Sequence, residues 1–265
     1  MLKVVLTLVD SFFIWLSRLP LIRTYKPFSL GYTFLIRFIR GRLPLVAYKS
    51  ADGAEFFLNP LDHVDLQVIK NGYYERSVLN EILHSVGKDE TFWDIGANFG
   101  LHSLSVAKMR PDVKVLAVEP NPTSAGKLLL ALREQMLSVQ VVNVALSSKH
   151  GLARLSICID GNSGLSSLSP WPEVTYASSM LAATIEADRL VELYPDLTPT
   201  VVKCDVEGHE LEVFQGMSEL LKGQKLRTII FENNSDARIN EILTQNGFKI
   251  EILDSSNLVA KKIVG

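Results

Sequence analysis

The stretch WDIGANFG, residues 93–100, ends an apolar run on Asp94 and then turns through Gly96 and Gly100. Glycine has no Cβ, so such a turn bends sharply and lets a ligand approach the chain, with main-chain N–H groups able to face a bound polar group. A turn of this kind between a strand and a helix lies at the C-terminal edge of an open α/β sheet, where ligands bind. The next apolar run ends in Glu119, followed by Pro120 and Asn121. An acidic residue about 20 positions after the glycine turn can accept hydrogen bonds from ribose hydroxyls. Asn98 stands where a dinucleotide fingerprint has its second glycine, so a nucleoside without a pyrophosphate suits the turn better.

A later run ends in Asp205, with Glu207, Gly208, His209 and Glu210 opening the following segment. Carboxylates in that position cap a helix N-terminus and complement its dipole, which is one reading. The other is chemical. Asp205 at a strand end can bind an amine or orient a hydroxyl, and His209 and Glu232 are further candidates for acid–base work. His102, like His209, can equally be a hydrogen-bonded structural residue.

Positioning these groups requires alternating elements. Strands are expected at 91–95, 114–118, 139–146, 200–206 and 227–232, each a β-branched or aromatic run of the kind buried on both faces. Helices with 3.6-residue apolar spacing are expected at 101–108, 123–136 and 211–221, with another at 239–245 before Asn246-Gly247. A helix is also expected at 76–86. Residues 45–58 read as a hairpin turning on Asp52-Gly53, and residues 249–253 with 258–262 read as a second one. Strand-like stretches at 153–159 and 182–185 and a polar loop around 162–169 interrupt the alternation.

Six ordered blocks carry a family resemblance: NGYYE (71–75), FWDIGANFGLHSL (92–104), VEPNP (118–122), VVNVALS (141–147), KCDVEGHELEVFQGM (203–217) and IIFEN (229–233). Over residues 67–247 the chain resembles the FkbM-type methyltransferases, a branch of the class I S-adenosylmethionine-dependent enzymes. The resemblance implies an α/β fold: a Rossmann-like, mostly parallel twisted sheet with helices on both faces and an antiparallel C-terminal hairpin. Residues 1–66 then form an N-terminal helical arm and small β-hairpin, and residues 67–265 the methyltransferase domain. It also implies that Asp94, Gly96, Asn98 and Gly100 surround the methionine part of S-adenosyl-L-methionine and that Glu119, beside Asn121, holds the ribose diol. By the same resemblance Asn143, Ala145 and Leu146 wall the adenine, and Tyr74 and Glu75 close over the cofactor. O-methylation of a carbohydrate, glycolipid or glycosylated small molecule is the implied activity; position at the strand's end makes Asp205 the first-choice base and His209 the second, and residues 162–172, rich in Ser and Gly with Trp171, read as an acceptor lid or as a solvated surface loop. Some related sugar methyltransferases use a divalent metal; Asp205, Glu232 and Asn233 have suitable oxygens, but their spacing does not establish a metal site.

The 265 residues, 47% apolar, can bury a full core, and the formal charge of -2 gives no general pull toward polyanions. The excess of positive charge lies before Ser50, in an apolar arm rather than along a groove with interleaved stacking aromatics, and the remainder is acidic, so nucleic acid is a poor candidate acceptor. That arm, with Phe12, Phe13 and Trp15, suits either a membrane surface or the protein's own core. Its apolar run is short for a membrane span, and no small-residue cleavage site follows it. Two cysteines far apart offer neither a disulfide framework nor a metal spacing, which fits a reducing cytoplasmic setting, with peripheral contact to the inner membrane face if the arm binds lipid. Two rivals stand beside the enzyme: a non-catalytic binding protein docked through the basic arm, and a nicotinamide enzyme, disfavoured by the broken fingerprint. The sequence does not fix the oligomeric state.

Overall fold

The computed structural model describes residues 45–60, 62–158, 162–233 and 236–263. The basic arm before Leu45 lies outside the described residues. Strands β1 (Val46–Lys49) and β2 (Glu55–Leu58) form the expected hairpin, with Gly53 at φ 87° in its turn. Val46, Tyr48, Phe56 and Leu58 are buried, the alternation a half-covered hairpin requires. Helix α1 (His63–Asn71) follows, started by Asp62, whose carboxylate accepts from the N–H groups of Val64 and Asp65, and ended by left-handed Gly72. The expected domain border between residues 66 and 67 falls inside α1. The hairpin shares a core with Phe99, Leu101, Leu104 and Leu128 of the neighbouring elements.

The alternating elements are α2 (Arg76–Ser85), β3 (Thr91–Ile95), α3 (Leu101–Met109), β4 (Lys114–Val118), α4 (Pro122–Gln135) and β5 (Gln140–Val142). A small sheet comes next: β6 (Ala145–Leu146), β7 (Gly151–Cys158) and β8 (Tyr176–Ile185), in the order β6-β8-β7. The chain then forms α5 (Ala187–Leu193), β9 (Val201–Cys204), α6 (Glu210–Gln215), α7 (Ser218–Lys222), β10 (Thr228–Glu232), α8 (Ala237–Gln245), β11 (Phe248–Ile252) and β12 (Asn257–Lys262).

The main sheet has seven strands in the order β11-β12-β10-β9-β3-β4-β5. The five strands from β10 to β5 run parallel, and β12 and β11 add antiparallel to the edge. Successive residues of the inner strands enter opposite cores. Trp93, Leu116, Val202 and Ile229 pack on one side, Phe92, Val115, Val201 and Ile230 on the other, which is why these strands read as continuous apolar runs. Strand order reverses between β3 and β9, so the connections leaving their C-terminal ends diverge and open a crevice.

Two expected elements are broken in the structure, each by a tertiary contact. The strand expected over 139–146 divides at Asn143, whose amide donates to the Glu119 carbonyl at 2.7 Å while Ala145 and Leu146 leave for the small sheet. The helix expected over 211–221 divides at Gly216. A Cβ there would stand 2.0 Å from the Ser147 carbonyl oxygen, and the Asp188 carboxylate restarts the helix by accepting from Glu219 and Leu220 N–H. No helix among the described residues is long and apolar enough to cross a membrane.

Candidate active site

The crevice is a cavity over the ends of β3, β4, β9 and β10. Its wall includes Tyr74, Glu75, Gly96, Asn98, Glu119, Ala145, Leu146, Asp205 and His209. Four other expected residues stand behind it and hold it. Asp94 is fully buried; its Oδ2 accepts from the Ser103 N–H at 3.0 Å and hydroxyl at 2.6 Å, and its Oδ1 lies 3.8 Å from Lys203 Nζ. Gly100, at φ 87°, begins α3 where a Cβ would stand 2.4 Å from Leu128. Asn121 caps α4 by accepting from Thr123 N–H, and Asn143 pins the end of β4.

Four N–H groups of the glycine turn are taken up inside the protein. The N–H groups of Gly96 and Ala97 go to the Val118 carbonyl, that of Gly100 to Ala97, and that of Asn98 to Glu119. Gly96 is required for a different reason: at φ 76° its Cα lies so close to the Asp205 carbonyl oxygen that a Cβ would be 1.8 Å away. The turn therefore fixes the spacing of β3 and β9. Glu119 accepts from Asn98 N–H at 2.8 Å with one oxygen and from Asn121 N–H at 2.7 Å with the other. Burial nevertheless raises its pKa to about 7, against the pull of those two donors.

The opposite wall is acidic. Glu75, Asp205, Glu207 and Glu232 all reach the cavity with Lys203 among them. Lys203 Nζ lies 3.0 Å from Asp205 Oδ2, and although burial opposes its charge, Asp205, Asp94 and Glu75 together raise its pKa. Burial and Asp205 raise Glu75 to about 7, and burial, Asp205 and Glu232 raise Glu207 to about 9. Glu232 is raised to about 7 by burial and Asp205, and its buried Oε2 has no hydrogen-bond partner. The backbone contributes too. Glu75, Asn98 and Glu207 hold φ between 51° and 55°, a conformation in which a Cβ is strained, and all three line the cavity.

His209 sits between two hydroxyls, Nε2 at 3.0 Å from Ser147 and Nδ1 at 2.8 Å from Ser169. With Ser167, whose hydroxyl donates to the Glu207 carbonyl at 2.6 Å, it fastens the loop carrying Ser163, Gly164, Ser166 and Leu168 into the cavity wall. His102 is buried, and burial and Lys203 lower its pKa to about 4. Lys203 opens the block of residues 203–217, and the resemblance gives it no role. Its signal is a lysine inside the apolar run VVKCDV, because a lysine buried on a central strand must be paired. Among the described residues, no three His, Cys, Asp or Glu side chains are grouped so as to hold a metal ion.

The model of the methyltransferase FkbM domain matches residues 94–250. Hexuronic acid methyltransferase AglP of Haloferax volcanii is 28% identical over 219 residues, covering 80% of this chain and 84% of that protein. Methyltransferase sdnD of Sordaria araneosa is 30% identical over 191 residues, covering 59% and 73%. The crystal structure of methyltransferase FkbM from Methylobacillus flagellatus KT superposes with a TM-score of 0.50 at 16% identity, covering 74% of this chain and 52% of that one. This chain thus spans about half of that protein's length, and the likeness speaks for the fold. The match over more than half of the residues and the order of the motifs agree: the chain belongs to the FkbM family of S-adenosylmethionine-dependent methyltransferases.

Proposed function

We propose that the protein O-methylates a hydroxyl of a carbohydrate, glycolipid or glycosylated small molecule, with the acceptor seated between the β9–β10 edge and the loop of residues 162–172. The observation that carries this reading is the meeting, in one cavity, of a diol-sized carboxylate at the end of β4 with Asp205, paired with Lys203, after β9 and the unpartnered Glu232 Oε2 at the end of β10. The likeness to a hexuronic acid methyltransferase supports a carbohydrate acceptor.

The residues fit the cofactor. Each Glu119 oxygen keeps a lone pair beyond its one backbone bond, enough for two vicinal hydroxyls. Ala145 and Leu146 give an apolar wall for a purine, and Gly96 and Asn98, with Tyr74 and Glu75 opposite, border the space for the amino-acid end. Asp94, Gly100, Asn121 and Asn143 keep that wall in register. When bound, S-adenosylmethionine supplies a methyl group activated by its sulfonium.

The protein's own task is then orientation, which can lower a barrier by about 7–11 kcal/mol, and proton removal, which adds about 10²–10⁴ in rate. Glu232 is assigned as the proton acceptor. Its pKa near 7 suits a base working near neutrality, and its Oε2 is free to receive a hydroxyl proton. Asp205, fixed by Lys203, orients the acceptor, and His209 holds the loop that covers it. Calorimetry with S-adenosylhomocysteine tests the cofactor assignment directly. Across a glycan panel, Glu232→Gln should cut turnover at saturating cofactor by about 10²-fold or more, Asp205→Asn should reduce it as well, and His209→Ala should mainly raise the acceptor KM. Undiminished turnover in Glu232→Gln removes it as the base.

A further inference from the structure

We propose that the acceptor carries an amine, and that the β9–β10 side of the cavity recognises this ammonium group beside the hydroxyl that is methylated. The inference rests on the methyltransferase reading and narrows its acceptor class.

The charge inventory of the cavity comes first. Four carboxyl side chains reach it from four places in the chain: Glu75 before α2, Asp205 after β9, Glu207 in the turn before α6 and Glu232 at the end of β10. Among the described residues a single lysine or arginine, Lys203, lines the cavity with them. It is already shared between Asp205 at 3.0 Å and Asp94 at 3.8 Å. The other titratable groups in the wall do not redress the balance. His102 stays neutral, Tyr74 is raised to about 12 by burial and the neighbouring acids, and Glu119 adds another carboxyl on the far side. Glu210, behind the wall, turns its Oε1 to the N–H groups of Val206 and Gly208.

A second, independent feature asks for a donor. His102 is 97% buried and lines the same cavity, yet its Nε2 has no hydrogen bond; the nearest carboxylate oxygen, on Glu75, is 4.0 Å away. Glu232 Oε2 is likewise buried and unpartnered. An ammonium group brings three donors and a positive charge to a place where acids and acceptors outnumber the one lysine.

The methyl donor answers part of this demand. Its sulfonium and ammonium charges are offset in part by its own carboxylate, for a net charge of one, which leaves the four carboxyls and one lysine unbalanced. A hexuronate acceptor would add a further negative charge and meet like-charge repulsion. A neutral hydroxyl leaves the imbalance unchanged. An ammonium replaces the protons that the cluster otherwise retains at neutral pH, so its binding should release a proton.

The test uses three open-chain polyols of equal length and different charge: glucamine, sorbitol and gluconate. Saturable binding of S-adenosylhomocysteine to the protein is established first, so failure of the cofactor reading appears separately. Each polyol is then titrated calorimetrically into the loaded protein at pH 7.5, in two buffers of different ionisation enthalpy. Glucamine should bind about tenfold or more tighter than sorbitol, with gluconate weakest, and only glucamine should release about one proton. In Glu207→Gln, which lies outside the proposed cofactor wall, the preference and the proton release should shrink while S-adenosylhomocysteine affinity holds. The titration is repeated with sinefungin, whose ammonium replaces the sulfonium. Persistence of the preference supports an acceptor amine; its disappearance shows that the acids serve the cofactor alone and overturns the proposal. Equal binding of the three polyols, no binding of glucamine, or preference for gluconate overturns it as well.

Discussion

The two halves of the cavity are built on opposite plans. Along β3, β4 and β5 most polar groups are answered from within the protein: Glu119 by two backbone N–H groups, one oxygen of Asp94 by Ser103, and the β4 end by Asn143, while Asp94 Oδ1 and Asn98 Oδ1 make no hydrogen bond. Along β9 and β10 the acids crowd around one lysine and Glu232 Oε2 is left without a partner, as is His102 Nε2, which lines the same cavity from α3. The first half is largely set before a ligand arrives, as a site for an invariant cofactor should be. The second depends on its ligand for charge and hydrogen bonds, as a site selective for one acceptor should.

The sharpest break of this contrast is at the joint between the halves. In Gly96→Ala, the new Cβ would meet the Asp205 carbonyl at 1.8 Å with φ in the left-handed region, so neither side can yield without moving β3 from β9. Overpacking and backbone strain together should cost about 3 kcal/mol or more, read as a lowered denaturation midpoint with loss of S-adenosylhomocysteine binding. A variant of native stability and affinity would show that the halves are not joined there.

Next in size is the cofactor half. Glu119→Ala leaves the N–H groups of Asn98 and Asn121 without acceptors, a loss of about 1–3 kcal/mol reduced by relief of the buried carboxyl. Affinity for S-adenosylhomocysteine should fall by at least about tenfold, as two ribose hydroxyls lose their shared acceptor. The acceptor half should be untouched, so polyol preference measured at saturating cofactor should persist. Its loss would mean that the two halves respond as one.

What was legible in the sequence follows the same division. The parallel sheet was readable because strands buried on both faces must be apolar throughout, as in β3 and β9. Gly96 and Glu119 were readable because a sharp turn and a strand-end acid have few other residue types to use. The break at Gly216 was hidden, since it depends on the Ser147 carbonyl, 69 positions away in the chain. Helix α1 was missed although Asp62 and Gly72 mark its ends, because its apolar face is short and Asp65, paired with Lys127 at 2.7 Å, is among the residues it buries. The acid cluster was only partly visible: Asp205, Glu207 and Glu232 end or follow strands, and Lys203 on β9 stands two residues before Asp205, but only folding brings Glu75 and Glu232 to the others. Charge balance in a cavity is a property of assembled elements, and no single motif records it.

The smallest effect is a pH dependence that compares the halves within one titration. Glu75, Glu119 and Glu232 are raised to about 7 and Glu207 to about 9, all from 4.5, so the native protein retains protons that the unfolded chain has released. Their stabilising contribution is complete below pH 4.5 and is lost as pH rises through these values. Free of cofactor, the protein should therefore become less stable between pH 5 and about 9, with a slope of about 1.4 kcal/mol per pH unit for each proton retained. His102 acts at the other end, since its lowered pKa removes stability only as pH falls below 6.5. Between pH 8 and 9 the slope should come chiefly from the acceptor half, through Glu207. Glu207→Gln should flatten it there, whereas Glu119→Gln should flatten it only around pH 5–7. Urea denaturation at unit steps of pH reads both, and stability that rises from pH 7 to 9 would mean that the acids along β9 and β10 are already matched with cations in the free protein.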